Sequence, residues 1–156
     1  MKFRMSLFLA FVGLYVSTPV VRGSYIFTTI DGPVGAGGTV ARGINTSGQI
    51  AGFFYNGNGF VYTSGVFNTI TDPNPNNYTV ANGINAGGQI VGEFDDGSHH
   101  GFLDNGGAFT TIDDPNATSY TLAFGINDSG QIAGQYGDGG GNHGFLETGG
   151  YIHHNR

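Results

Sequence analysis

The chain contains no cysteine and no tryptophan, and only five lysines and arginines among its 156 residues. Without cysteine, the fold must hold without disulfides, even if the protein is exported. Basic residues thin out further beyond residue 23, where only Arg42 and Arg156 remain against all eleven acidic residues. No basic stripe exists to meet phosphates, which argues against nucleic acid and against an anionic membrane surface as partners. Helical patterning is also missing: no stretch beyond residue 23 carries apolar residues at 3.6-residue spacing. What the chain does have is 30 glycines with β-branched and aromatic residues set between them, a composition that fits turn-dense β structure.

The N-terminus reads differently from the rest. Lys2 and Arg4 precede an apolar stretch from Leu7 to Val16, followed by Ser17, Thr18, Pro19 and a small residue, Gly23. A basic start, a short apolar run and a small-residue exit predict a secretory signal peptide over residues 1–23. The run is short for a membrane span of about 20 residues. The protein is therefore expected outside the cytoplasm, secreted or at the cell surface.

One segment is written three times. Gly43-Ile44-Asn45-Thr46-Ser47-Gly48-Gln49-Ile50-Ala51-Gly52 returns from Gly83 to Gly92 and again from Gly125 to Gly134. The spacing, 40 and then 42 residues, is that of a repeat array. Four short segments recur in each copy. Phe27–Ile30, Phe67–Ile70 and Phe109–Ile112 are β-branched and aromatic, and Pro33, Pro73 and Pro115 stop them. Thr39–Ile44, Thr79–Ile84 and Thr121–Ile126 follow. By simple alternation, Val40 and Ile44 share one face of that strand, and Ala41 and Gly43 the other.

Asn45–Gly48, Asn85–Gly88 and Asn127–Gly130 predict tight hairpin turns, because Asn and Gly accept positive φ and Asn bonds nearby backbone. The third strand runs from Gln49 to Phe54 and its counterparts; its variable face, Phe53, Glu93 and Gln135, is expected to see solvent. The fourth begins at Gly59-Phe60, Gly101-Phe102 and Gly144-Phe145. Four antiparallel strands in about 40 residues predict an all-β fold of tandem, blade-like units, a small or incomplete β-propeller-like array. The repeats span about 26–62, 66–103 and 108–146 within a domain over 24–152, with an irregular tail at 153–156. Three units are few for a closed propeller of about four to eight blades. The expectation is a piece of a longer array, with unusual closure or self-association as the alternative.

Asn-x-x-Gly-Gln-Ile followed by His100-Gly101-Phe102 or His143-Gly144-Phe145 resembles the bacterial extracellular HAF repeat family, although the first copy has Asn58-Gly59-Phe60 and Gly replaces Ala throughout. The resemblance spans roughly residues 26–150. It implies export and a repetitive β fold, with no established catalytic residues to carry over.

Candidate chemistry is sparse. His99, His100 and His143 with Asp95, Asp96 and Asp138 have metal-ligating side chains. The favoured reading gives His100 and His143 a structural role, bonding a backbone carbonyl before the Gly-Phe strand. Asp95-Asp96-Gly97 and Asp138-Gly139-Gly140 lack the spacing of a calcium loop and read as turns, with calcium as the alternative. Asp31, Asp113, Asp114 and Glu93 offer carboxylates, but most stand where strands stop, and no serine sits in a nucleophile elbow. No catalytic residue, metal or cofactor is expected.

Phe53, Tyr55, Tyr78 and Tyr120 are the candidate ligand contacts, since aromatic faces beside Asn and Asp suit sugar rings. Gly43, Asn45, Gly48, Gly83, Asn85, Gly88, Gly125, Asn127 and Gly130 are assigned to the repeat's backbone. The expected function is non-catalytic binding of an extracellular polymer such as polysaccharide, or of a surface protein. The alternative is a structural segment that self-associates through open blade edges, with an enzyme third.

Overall fold

The computed structural model of the protein describes residues 25–70 and 78–154. The expected signal peptide over residues 1–23 and the strand stop at Pro73 lie outside them. Among the described residues the chain is all-β, with twelve strands and no helix.

Three antiparallel meanders of four strands follow one another. The first comprises β1 (Thr39–Ile44), β2 (Ile50–Phe54), β3 (Gly59–Thr63) and β4 (Val66–Ile70). The second comprises β5 (Tyr78–Ile84), β6 (Ile90–Asp95), β7 (His99–Asn105) and β8 (Ala108–Ile112). The third comprises β9 (Tyr120–Ile126), β10 (Ile132–Asp138), β11 (Gly141–Thr148) and β12 (Tyr151–His153). Strand pairing thus reaches His153, into the segment expected to be irregular.

The meanders form two sheets. The first stands alone, and the second and third are joined by a single parallel pairing of His99 with Tyr120. At the corresponding place in the first junction, Thr79 N–H donates to the Gly57 carbonyl at 2.8 Å. Gly57 lies in a turn with φ of 97°, so no strand pairing forms there. The described strands close into neither a barrel nor a propeller.

The Asn-x-x-Gly segments make the expected turns. In each, the backbone N–H of the Asn donates to the carbonyl of the Gln four residues on, at 3.0 Å. Gly48, Gly88 and Gly130 have φ between 76° and 79°, a region open to glycine. The first strand of each meander departs from simple alternation. Its register slips around Arg42 in β1, Asn82 in β5 and Phe124 in β9, each an extra residue opposite its partner strand. A β-bulge of this kind turns the residues after it to the other face. Ala81 therefore pairs across from Gly92, and Gly83 across from Val91, on opposite faces. The expectation that Ala and Gly share a face, and Val40 and Ile44 the other, is corrected by that one extra residue.

Meanders stack face to face; two apolar clusters lie in the junctions, and a third, Ala36, Phe54 and Phe60, lies on the first meander. Ala51, Val61 and Ile70 of the first meet Ala81, Ile90, Phe94 and Phe102 of the second. Val91 and Ile112 of the second meet Ala123, Ile132, Tyr136 and Phe145 of the third. Each fully buried Phe contributes on the order of 2–3 kcal/mol of burial free energy. Phe60 and Phe102 are such residues, with no exposed surface. Stacking also overturns the expectation that the Phe53 face sees solvent. That face packs on the next meander, and Phe53 is buried. Gly52, Gly92 and Gly134 lie beneath the rings of Phe60, Phe102 and Phe145, where a Cβ would strike both ring and backbone.

Candidate ligand-binding site

An aromatic patch sits at the rim of the first junction. Phe53 forms its floor, and Tyr55, just past the end of β2, and Tyr78, at the start of β5, stand against it edge-on. Their ring centroids lie 6.0 and 6.2 Å from that of Phe53. Arg42, the bulged residue of β1, places its guanidinium carbon 5.3 Å from the Phe53 centroid. The Tyr55 ring lies against Gly38, where a Cβ would collide with it. The backbone bond from Tyr55 N–H to the Gly38 carbonyl, 3.2 Å, fixes that approach. Tyr55 is 68% exposed and Tyr78 40% exposed, so both offer open ring faces.

Charge is arranged around the patch. Burial pushes the Glu93 carboxyl above the usual carboxylate range, with His99 and then Arg42 pulling the other way. Burial also raises the Tyr78 phenol, Glu93 adds to the rise, and Arg42 opposes it. Glu93 on β6 therefore sits within the fields of both His99 and Arg42. Phe53, Tyr55 and Tyr78 come together as candidate ligand contacts; Tyr120 does not join them. Its hydroxyl donates to Asn142 Oδ1 at 2.5 Å and accepts from Gln135 Nε2 at 2.6 Å, within the third meander. Sequence alone does not bring Arg42 and Glu93 to the patch; the signal for Arg42 is its isolation as one of two basic residues beyond residue 23.

A second, polar cleft of about 260 Å³ opens beside the second junction, lined by His99, His100, Asp113, Asp114, Tyr120 and Thr121 among others. It falls below the volume range of pockets for drug-sized ligands. Asp114 is buried, and its Oδ2 meets no hydrogen-bond partner among the described residues.

The histidines bond carboxylates. His100 Nδ1 lies 2.8 Å from Asp113 Oδ1 and its Nε2 3.2 Å from Asp96, while its ring stacks on Phe94. His143 Nε2 lies 3.1 Å from Asp138 Oδ1, its ring stacked on Tyr136. The structural role assigned to both runs through these carboxylates and rings, where a backbone carbonyl was expected. A flanking Asp in each loop was the legible sign.

Asp95 Oδ1 accepts from Gly97 N–H, and Asp138 Oδ1 from Gly140 and Gly141, as turn carboxylates do. Among the described residues, no three His, Asp or Glu side chains converge as metal ligands would. Also among them, no helix is long and apolar enough to cross a membrane. Comparison of the chain with protein-family models, with curated proteins and with solved structures finds no match to any of them.

Proposed function

We propose that this protein is a secreted, non-catalytic β-repeat module that binds an extracellular polymer, most concretely a polysaccharide. In this reading each meander is one blade-like unit of a propeller-like array, and the likeness of its repeats to HAF repeats points the same way. The observation that carries the binding assignment is the open pair Tyr55 and Tyr78, held edge-on around Phe53 with Arg42 beside it. Sugar rings present apolar C–H faces to aromatic rings and hydroxyls to charged groups. Tyr55 and Tyr78 supply the first, and Arg42 and Glu93 the second. The patch lies on an open rim, which suits a long chain lying across it better than a small molecule enclosed in a pocket.

The test is retention on a panel of immobilised neutral and acidic polysaccharides, comparing the protein with its Tyr55→Ala/Tyr78→Ala variant. Retention by at least one polysaccharide, reduced tenfold or more in the variant, is expected. No retention on any of them, or equal retention of both proteins, would sink the assignment.

A further inference from the structure

The two junctions are one interface used twice, and parts of both its halves recur open at the ends of the stack, although Phe54 and Phe60 on the outer face of the first meander are already buried with Ala36. Ala51 and Val91 are fully buried where one meander meets the next, yet Ala133, their counterpart in the third, is exposed. On the reverse face, Ala81 and Ala123 are fully buried, whereas Ala41 is exposed; Ile84 is 7% exposed and Ile44 68%. A Cβ on Gly43 would meet the Asn82 carbonyl at 3.0 Å, and one on Gly83 the Phe124 carbonyl at 3.1 Å. On Gly125 it would meet nothing within 4 Å among the described residues.

The strand content is offset in the same direction. The fourth strand of the first meander carries Phe67-Asn68-Thr69-Ile70, and that of the second Phe109-Thr110-Thr111-Ile112. In the third, that position is filled, among the described residues, by the three residues of β12. A segment of the same sequence stands ahead of the first meander, as Phe27-Thr28-Thr29-Ile30, outside any strand among the described residues and with Phe27 92% exposed. The connection after it already has the shape of a link between meanders. Gly32 N–H donates to Thr39 Oγ1 at 2.7 Å, just as Asp114 N–H donates to Thr121 Oγ1 at 3.0 Å on the way from β8 to β9.

We propose that the partner for these open halves is a second copy of this chain. Tyr25–Ile30 of one copy pairs with β11 of the other in place of β12. The linker then seats the donor's first meander on the acceptor's third. Adding a strand to an exposed sheet edge is an established mode of recognition. The interface is head-to-tail, so it closes into a ring or runs on as an open series. Two copies bring six meanders, inside the range of about four to eight over which propellers close. The register of β7 with β8, which pairs Leu103 with Thr110, places Thr28 of one copy opposite Leu146 of the other.

The test exploits the absence of cysteine. A Thr28→Cys chain and a Leu146→Cys chain, each expressed from residue 1, are mixed and oxidised mildly. Light scattering is run on the unmodified protein from about 1 to 100 μM. We expect a mass of two chains, or of a longer series of whole chains, and a disulfide-linked pair well above that from Thr28→Cys mixed with Asp128→Cys. A single-chain mass throughout, or cross-linking no greater than in the control mixture, would overturn the proposal. Gly125→Val gives a second reading: its side chain stands in open space in one chain, so the circular dichroism spectrum and melting of the single chain should persist while association weakens at least tenfold. Undiminished association would refute the seating. None of these measurements involves a polysaccharide, so failure here and failure of the binding assignment are told apart.

Discussion

Asn45 reaches across 40 residues of sequence to donate its Nδ2–H to the backbone carbonyl of Asn85, at 3.0 Å. The bond is repeated one step on, from Asn85 Nδ2 to the Asn127 carbonyl at 3.2 Å. Each Asn thus ties its own turn and the next one together. Asn85 Oδ1 also accepts from Gln89 N–H at 3.0 Å, and its Nδ2 from the other side faces Gln89 Oε1 at 2.8 Å.

Asn85→Ala removes all three side-chain bonds at a site only 4% exposed. Each net bond is worth about 0.5–1.5 kcal/mol, and groups left buried without partners add to the loss. The expected cost is about 2–3 kcal/mol by urea unfolding. A cost under about 0.5 kcal/mol would mean that the side chain holds neither turn nor junction.

Gly83→Ala probes the closeness of the second junction. Its Cβ would lie 3.1 Å from the Phe124 carbonyl, 3.2 Å from Gly125 Cα and 3.2 Å from Val91 Cγ2. Two of these are backbone, which yields little, so overpacking should cost about 1–3 kcal/mol. Thermal melting that matches the unmodified protein would show that the meanders sit farther apart.

Glu93 should make stability depend on pH. Its folded value is raised above the ordinary 4.5, so the native state keeps a proton that the unfolded chain releases. The contribution is complete below about 4.5 and is lost as pH rises through the raised value. Glu93→Gln cannot lose it. The melting temperature of that variant should therefore gain on the unmodified protein between pH 4 and pH 7. A constant difference over that interval would contradict the burial of this carboxyl.

His100 works in a higher window. Burial lowers its imidazolium, but the hydrogen bond and charge of Asp113, and then Asp96, outweigh burial and hold it above the ordinary 6.5. Its stabilising effect is complete below about 6.5 and fades as pH rises through the raised value. His100→Gln should accordingly be most destabilising near pH 5.5 and least so above pH 8. The same loss at both ends would leave the ring's stacking on Phe94 as its only contribution.

Much of this structure is legible in the sequence because it is local. Asn-x-x-Gly predicts its turn from the φ of one glycine and the reach of one amide, and Gly-Phe strands follow from β propensity. What escapes is non-local. Nothing in Thr39–Ile44 announces the extra residue at Arg42, so strict alternation puts Val40 and Ile44 on one face when the bulge separates them. Phe53 reads as exposed because its counterparts are Glu93 and Gln135. Its burial comes from a whole second meander lying on that face. The patch was half visible: aromatic rings could be picked out, but the company of Arg42 and Glu93 depends on how two meanders meet.

The bulged residue is the one position in each meander with no cross-strand partner to satisfy. Arg42 uses it to cover Phe53, Asn82 uses it to donate to the Ala123 carbonyl at 3.0 Å, and Phe124 leaves it 45% exposed. Register is set by the residues on either side, so the side chain there is free to differ without moving a strand. In a lineage that copies this unit, the side chain at that position can change without shifting the register of the strands.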